Sequence, residues 1–144
     1  MIVIFDLDGT ISNTDHRHHF ITQQPKDFDA FTAAAKDDSV HHYVAEVLRA
    51  LKDKGYEIHI FTGRNDTVKS DTVEWLNIND IPYDVLMMRP DSTDRYTRDT
   101  DLKNKWLTKL NPSDILCAFD DRNRSVAFYR NHGIPCFQVA EGGF

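Results

Sequence analysis

Short runs of apolar residues alternate along the chain with longer segments in which apolar residues recur every three or four positions. The short runs are typical of buried strands and the periodic segments of amphipathic helices. Strands are predicted over 2–5, 56–61, 84–88, 114–119 and 135–139, and helices over 40–54, 66–79, 101–110 and 122–132. Strands that alternate with helices indicate an α/β fold, in which a central parallel five-stranded sheet carries helices on both faces.

The segment 12–39 departs from this alternation, since it combines a histidine-rich polar run, a proline turn and a short helix-like stretch. An insertion directly after the first strand lies over the carboxyl edge of a parallel sheet, where ligands bind. We therefore expect a small cap within a single domain that spans 1–144. His16 and Arg17 of this insertion are candidates for contact with a substrate.

Charge and composition narrow the class of protein. The formal net charge of −6 argues against a protein that binds nucleic acid generally through its overall charge. It does not argue against an enzyme that binds one phosphate group. No apolar run approaches the roughly 20 residues that span a bilayer, so no membrane association is expected. Cys117 and Cys136 lie in apolar runs, as reduced core cysteines do, and this indicates a cytoplasmic protein.

The first strand ends in two carboxylates, Asp6 and Asp8, followed by a Gly-Thr turn. One carboxylate can attack phosphorus, while a second can protonate the leaving oxygen and then activate water. That division needs one acid ionised and metal-bound and the other more protonated. Converging acids repel each other, which a bound Mg²⁺ would relieve. Thr10 in the turn is a candidate for substrate contact, and the alternative is an ordinary surface turn that closes a strand.

Two later segments carry groups suited to phosphate. The second strand ends in Thr62-Gly63-Arg64, where a hydroxyl, a close backbone and a guanidinium could each contact a phosphoryl oxygen. The alternative is a strand-to-helix turn capped by Thr62. The loop after the third strand places Arg89, Tyr96 and two further arginines within ten residues. These side chains are suited to contact with phosphates or bases, and the alternative is a loop whose charges are simply solvated.

A lysine and a second pair of acids complete the candidate chemistry. Lys103 is favoured over Lys105 as a cation in the site, because Lys103 shares the inward face of its predicted helix with Trp106. Asp120 and Asp121 follow the fourth strand, and adjacent acids at a buried strand end are costly unless something pairs with them. A shared Mg²⁺ would do so, whereas a helix-capping role explains only one of the two acids.

These motifs resemble those of the haloacid dehalogenase superfamily of phosphotransferases; the residues that carry the resemblance are Asp6-x-Asp8-Gly9-Thr10, Thr62-Gly63-Arg64, Lys103 and Asp120-Asp121. The resemblance implies a Rossmann-like fold, Asp6 as the nucleophile and Asp8 as the general acid and base. It implies that Thr62 and Lys103 hold the phosphoryl group. Mg²⁺ would be bound by Asp6, the backbone carbonyl of Asp8 and an acid of the Asp120-Asp121 pair. The acid at Asp8 favours a phosphatase over a dehalogenase.

A closer resemblance is to the 3′-phosphatase domains of phage polynucleotide kinase–phosphatases; it is carried by Gly55-Tyr56, Thr62-Gly63-Arg64, Thr97-Arg98-Asp99, Asp120-Asp121-Arg122 and the segment 136–144. It implies a Mg²⁺-dependent phosphomonoesterase of DNA or RNA 3′ ends that acts through an aspartyl-phosphate in nucleic-acid repair. No GxxxxGK[ST] motif of a P-loop kinase is present. No obligate protein partner is implied.

The insertion departs from that of the kinase-fused domains in length and content, so the choice of substrate stays open. One alternative is a phosphatase of free nucleotides or small phosphorylated metabolites. A second is a signalling module that resembles a response-regulator receiver. In receivers the paired acids end the first strand and the phosphorylated aspartate comes later, whereas here the Asp-x-Asp motif comes first and the adjacent pair last.

Overall fold

The computed structural model describes all 144 residues. Five strands form the main sheet: β1 (Ile2–Phe5), β4 (Glu57–Asn65), β5 (Val85–Arg89), β6 (Ile115–Asp120) and β7 (Cys136–Gln138). All neighbouring pairs are parallel and the order is β5-β4-β1-β6-β7, so β1 lies in the centre of the sheet. Two short strands, β2 (Ser12–Asn13) and β3 (Ser39–Val40), pair antiparallel outside it. The predicted α/β fold with a parallel five-stranded sheet is confirmed.

Four helices cover the two faces of the sheet: α3 (His42–Asp53), α4 (Lys69–Ile78), α5 (Asp99–Leu107) and α6 (Asn123–Asn131). Two shorter helices, α1 (His19–Thr22) and α2 (Phe28–Ala33), lie in the insertion. Successive residues of a strand point to opposite faces. Val3 and Phe5 of β1 accordingly join one apolar cluster with α3 and α4. Ile2 and Ile4 join a second cluster with α5 and α6. None of the helices is both long enough and apolar enough to cross a bilayer.

Several predicted boundaries are wrong for identifiable reasons. The helix predicted from residue 40 begins at His42, because Val40 pairs with Ser12 in the β2–β3 ladder. The second strand continues past residue 61 to Asn65, after an irregularity in its pairing with β5. The helix predicted from residue 66 begins with a 3₁₀ turn, and α4 itself starts at Lys69; the Asn65 side chain accepts a hydrogen bond from the N–H of Thr67 in that turn.

Hydrogen bonds fix the insertion 12–39 to the rest of the protein, both at its ends and within it. The β2–β3 ladder joins its two ends, and the N–H of His41 donates to the carbonyl of Ile11 at 2.8 Å. The indole Nε1 of Trp75 on α4 donates to the carbonyl of Asp38 at 2.8 Å. The insertion is therefore docked on the body of the protein, with Arg17 facing the carboxyl end of β1.

Candidate active site

Three carboxylates meet where β1 and β6 end side by side. Asp6 follows β1, Asp120 ends β6 and Asp121 follows it. Phe5 pairs with Phe119 in the parallel register, so the next residues of both strands emerge at the same edge. One carboxylate oxygen from each acid lies within 4.8 Å of the others, and all three residues are buried. We refer to Asp6, Asp120 and Asp121 as the acid cluster.

One ammonium group lies against the acid cluster. The Nζ of Lys103 on α5 donates to Asp120 Oδ2 at 2.7 Å and to Asp6 Oδ1 at 3.2 Å, and its side chain is 1% exposed. Burial alone would lower the pKa of Lys103, but the charges of Asp6 and Asp120 outweigh it and raise that pKa well above its ordinary value. Lys103 is therefore charged, whereas Lys105 is exposed to solvent.

A single lysine does not balance three acids. Burial raises the pKa of Asp6 well above its ordinary value, Lys103 opposes the shift, and the charge of Asp120 adds to it. Burial and the charge of Asp120 also raise the pKa of Asp121. A cluster of carboxylate oxygens with unbalanced negative charge has the chemistry that a hard divalent cation requires. The donor set therefore fits Mg²⁺.

The Gly-Thr turn after the Asp-x-Asp motif packs directly on Asp121. Gly9 has φ +83°, and a Cβ at this position would overlap the Asp121 carboxylate. Thr10 is fully buried, and its hydroxyl donates to Asp121 Oδ1 at 3.2 Å. Thr10, which the sequence predicts to contact substrate, therefore contacts the acid cluster instead. Its hydroxyl proton is engaged by the Asp121 carboxylate, so it is not free to donate to a ligand in this arrangement.

Asp8 has an environment opposite to that of the acid cluster. Its Oδ1 accepts hydrogen bonds from Arg17 at 2.7 Å and from Arg64. Burial alone would raise the pKa of Asp8, but the two guanidinium groups outweigh it and lower that pKa to about 2. The roles implied by the resemblance need Asp6 ionised and Asp8 able to carry a proton. The order of the two pKa values in this state is the reverse, because burial outweighs Lys103 at Asp6, whereas the two guanidinium groups outweigh burial at Asp8.

A buried network in the insertion holds Arg17 in place. Its Nε and one NH₂ group form a two-pronged pair with Asp38, at 2.8 Å each. The guanidinium also stacks on the ring of Phe31, with its Cζ 4.3 Å from the ring centroid. His16 Nε2 lies 2.7 Å from Asp38 Oδ1. Sequence reasoning missed Asp38, because nothing in its local pattern distinguishes it from an exposed acid beside Asp37.

Loss of Arg17 should destabilise the protein. Arg17→Gln leaves Asp38 buried without its bidentate partner, and breaking a buried pair in this way typically costs about 3 kcal/mol or more. We expect the free energy of unfolding, measured by urea denaturation, to fall by that amount. Lys36→Gln is the matched control, since Lys36 is an exposed cation of the same insertion. Equal stability of the two variants would contradict this assignment.

Thr62, Gly63 and Arg64 lie in the irregular end of β4. Thr62 Oγ1 accepts a hydrogen bond from the N–H of Arg64 at 3.1 Å, which leaves the hydroxyl proton free to donate. The Arg64 side chain donates to Thr72 Oγ1 at 3.2 Å and to Asp8. A Cβ on Gly63 would overlap the Asp99 carboxylate. The Asp99 carboxylate therefore occupies the space that a side chain at residue 63 would need.

The Arg89 guanidinium links the end of β4 to the residues that precede and begin α5. It donates to the carbonyl of Gly63 at 3.1 Å, to the carbonyl of Thr97 at 2.8 Å and to Asp99 Oδ1 at 3.1 Å. The predicted substrate contact by Arg89 would have to share these hydrogen bonds. Asp99 was not among the predicted site residues, although it lies in the Thr97-Arg98-Asp99 stretch that supports the resemblance.

The parallel sheet, the acids at the ends of β1 and β6 and the buried Lys103 between them define a phosphatase of the haloacid dehalogenase superfamily. The sequence profile of the family described as "Polynucleotide kinase PNKP phosphatase domain" matches residues 1–144. The chain belongs to this family of phosphatase domains.

Solved structures agree with this assignment. A chain in the structure of the Pnkp1/Rnl/Hen1 RNA repair complex is 30% identical over 99% of this chain, with a TM-score of 0.82. A second structure of the Pnkp1/Rnl/Hen1 complex gives 30% identity over 99% and a TM-score of 0.80. This chain spans 43% and 46% of those two chains. CbbY from Rhodobacter sphaeroides in complex with phosphate shares the fold, at 16% identity over 99% of this chain and 86% of that one, with a TM-score of 0.63.

Proposed function

We propose that this phosphatase is a Mg²⁺-dependent polynucleotide 3′-phosphatase that acts through an aspartyl-phosphate on Asp6. The observation that carries the proposal is the placement of Asp6. It lies in the acid cluster with one oxygen held by Lys103, in a chain whose whole length matches a polynucleotide kinase–phosphatase domain. A related chain in an RNA repair complex supports a nucleic-acid end as substrate.

Asp6 performs the first step. Lys103 holds Oδ1 at 3.2 Å, and Oδ2 accepts no hydrogen bond within the chain. Oδ2 attacks phosphorus, the bond from phosphorus to the 3′ oxygen breaks, and the leaving oxygen takes up a proton. Lys103 and the Thr62 hydroxyl offset the charge that develops on the phosphoryl oxygens. The phosphoryl group then resides on Asp6.

Asp8 handles the protons of both steps. Its carboxylate form is the base that accepts a proton from the attacking water, which displaces inorganic phosphate from Asp6. Its acid form is needed earlier, when the 3′ oxygen leaves. The negative charge of a phosphate bound beside Asp8 opposes the positive charge of Arg64 and Arg17, so the two arginines stabilise the Asp8 carboxylate less strongly. The pKa of Asp8 then rises from about 2, which allows it to carry the proton.

Asp6, Asp120, Asp121 and the backbone carbonyl of Asp8 would hold Mg²⁺, which supplies positive charge to the phosphoryl oxygens when bound. The residues of the chain contribute the remaining charge. Lys103 is already bonded to two members of the acid cluster, and Thr10 and Gly9 hold the third in position. The acid cluster is therefore oriented by its own neighbours before any ligand binds.

The position of the phosphate tests the substrate assignment. We expect kcat/KM for a 3′-phosphorylated oligonucleotide to exceed that for the same oligonucleotide with a 5′-phosphate, and that for a 3′-mononucleotide, by about 10-fold or more, or ~1.4 kcal/mol of transition-state binding. Phosphate release measures all three reactions. Equal or faster hydrolysis of mononucleotides or sugar phosphates would instead support a phosphatase of free nucleotides or small metabolites.

A further inference from the structure

A strongly basic cleft opens beside the acid cluster. Its volume is about 240 Å³, and five arginines and one carboxylate are among its ten lining residues. The arginines are Arg89, Arg95, Arg98, Arg122 and Arg124. This local excess of positive charge is opposite in sign to the net charge of −6 of the whole chain. We refer to this surface as the arginine cleft.

The arginine cleft adjoins the active site. The N–H of Arg122 donates to Asp120 Oδ1 at 3.1 Å, so one wall of the cleft begins at the acid cluster. The Asp99 carboxylate lines the cleft, and the space beside Gly63 is filled by the same carboxylate. The cleft therefore lies directly beside the residues that surround Asp6.

Three of the arginines have no partner within the chain. Arg89 is committed to the carbonyls of Gly63 and Thr97, and the guanidinium of Arg122 lies 3.6 Å from Asp99. Arg95, Arg98 and Arg124 are exposed, and their side chains make no hydrogen bond or ion pair. Guanidinium groups that face one cleft repel each other unless an anion lies between them, and their planar donors match phosphate oxygens.

Backbone and aromatic groups add to this surface. Arg98 and Arg122 immediately precede α5 and α6. No side chain accepts from the first amides of either helix, although the N–H of Asn123 in α6 donates to the carbonyl of Gly142 at 2.9 Å. Both helices are nine residues long, so the partial positive charge of each N-terminus adds to that of the arginines. Tyr96 is 85% exposed at the same cleft. An exposed aromatic ring among arginines suits a stacked base.

We propose that the arginine cleft holds the single strand that carries the terminal phosphate. Arg95, Arg98 and Arg124 contact phosphodiester oxygens, and Tyr96 packs against a base. The inference rests on the proposed function. It specifies the surface by which the enzyme distinguishes a polynucleotide from a mononucleotide, because a mononucleotide has no phosphodiester to place in the cleft. Contacts to backbone phosphates carry no base preference, so binding should be independent of sequence and sensitive to salt.

The test is a triple variant, Arg95→Gln, Arg98→Gln and Arg124→Gln, assayed on a short 3′-phosphorylated oligothymidylate and on thymidine 3′-monophosphate. We expect KM for the oligonucleotide to rise about 10-fold or more, with kcat and the mononucleotide kinetics retained. The slope of log KM against log salt for the oligonucleotide should fall by about 2, since each phosphate contact on a single strand contributes about 0.7.

The matched control removes three charges elsewhere, by Lys54→Gln, Lys105→Gln and Lys109→Gln. These lysines are exposed and unpaired, and none of them lines the cleft. We expect the control to behave as the wild type. The inference is overturned if the control loses oligonucleotide affinity as the triple variant does, or if the triple variant loses activity equally on both substrates.

A binding assay separates this inference from the proposed function. Fluorescence anisotropy with an unphosphorylated oligothymidylate needs no turnover, so it reports on the cleft even if 3′-phosphates prove not to be substrates. Binding by the wild type and the control, with about 10-fold or greater weakening in the triple variant, would support the cleft. An enzyme that hydrolyses p-nitrophenyl phosphate but not the 3′-phosphate would refute only the proposed function. Absence of binding by the wild type would refute the cleft.

Discussion

Asp6→Asn should reduce kcat by about 10⁴-fold or more, because the carboxylate oxygen that attacks phosphorus is replaced by an amide that cannot form the aspartyl-phosphate. The fold should survive. The side-chain oxygen of asparagine can still accept the hydrogen bond from Lys103. Burial and Asp120 raise the pKa of Asp6, which means that the surroundings disfavour its charge. A neutral side chain of the same shape relieves that repulsion.

Activity and stability must be measured on the same preparation. We expect the thermal midpoint of Asp6→Asn to lie within a few degrees of the wild-type value or above it, which corresponds to a change of about 1 kcal/mol or less in stability. Asp53→Asn is the matched control, since Asp53 is exposed at the far end of α3. Near-normal activity of a folded Asp6→Asn protein would refute its assignment as nucleophile.

Removal of divalent cations should abolish the phosphatase activity. Dialysis against EDTA is expected to abolish phosphate release, and Mg²⁺ should restore it, because Lys103 alone does not balance the acid cluster. Ca²⁺ should restore less activity, since it prefers more ligands at longer distances. A rate indifferent to chelation would count decisively against a metal at the acid cluster.

Thermal denaturation gives a reading of metal binding that does not depend on turnover. A cation that binds only the folded state stabilises it by about 2.7 kcal/mol at 100 times its dissociation constant. We expect Mg²⁺ to raise the melting temperature of the wild type and of Asp53→Asn. The rise should be lost in Asp120→Asn and in Asp121→Asn, which remove members of the acid cluster.

Much of the fold can be predicted from the sequence, because each strand of the main sheet is a compact apolar run. Residues 2–5 enter both apolar clusters, as a central strand must, and the pattern of the sequence already indicates this. The boundaries could not be predicted where pairing overrides the pattern. Val40 is the first residue of the predicted helix 40–54, yet it pairs in a ladder with Ser12, which lies 28 positions earlier.

The residues of the candidate site likewise include some that the sequence predicts and some that it does not. Asp6 follows β1 and Asp120 ends β6, and the parallel direction that places both at one edge of the sheet follows from the alternation of strands and helices. The adjacency of these two strands is seen only in the structure. Asp38 could not be found in this way, because its role depends on where the insertion docks against Trp75. The arginine cleft likewise joins a loop to the start of α6, which are distant in sequence.

The central claim is that phosphate passes through a covalent bond to Asp6. The most direct measurement is to quench the enzyme during turnover, reduce it with borohydride, and locate the modified residue by peptide mass spectrometry, since reduction converts an aspartyl-phosphate to homoserine. We expect homoserine at residue 6, and none in Asp6→Asn. Homoserine at Asp8 or at another acid, or none in an enzyme caught at full turnover, would contradict the mechanism.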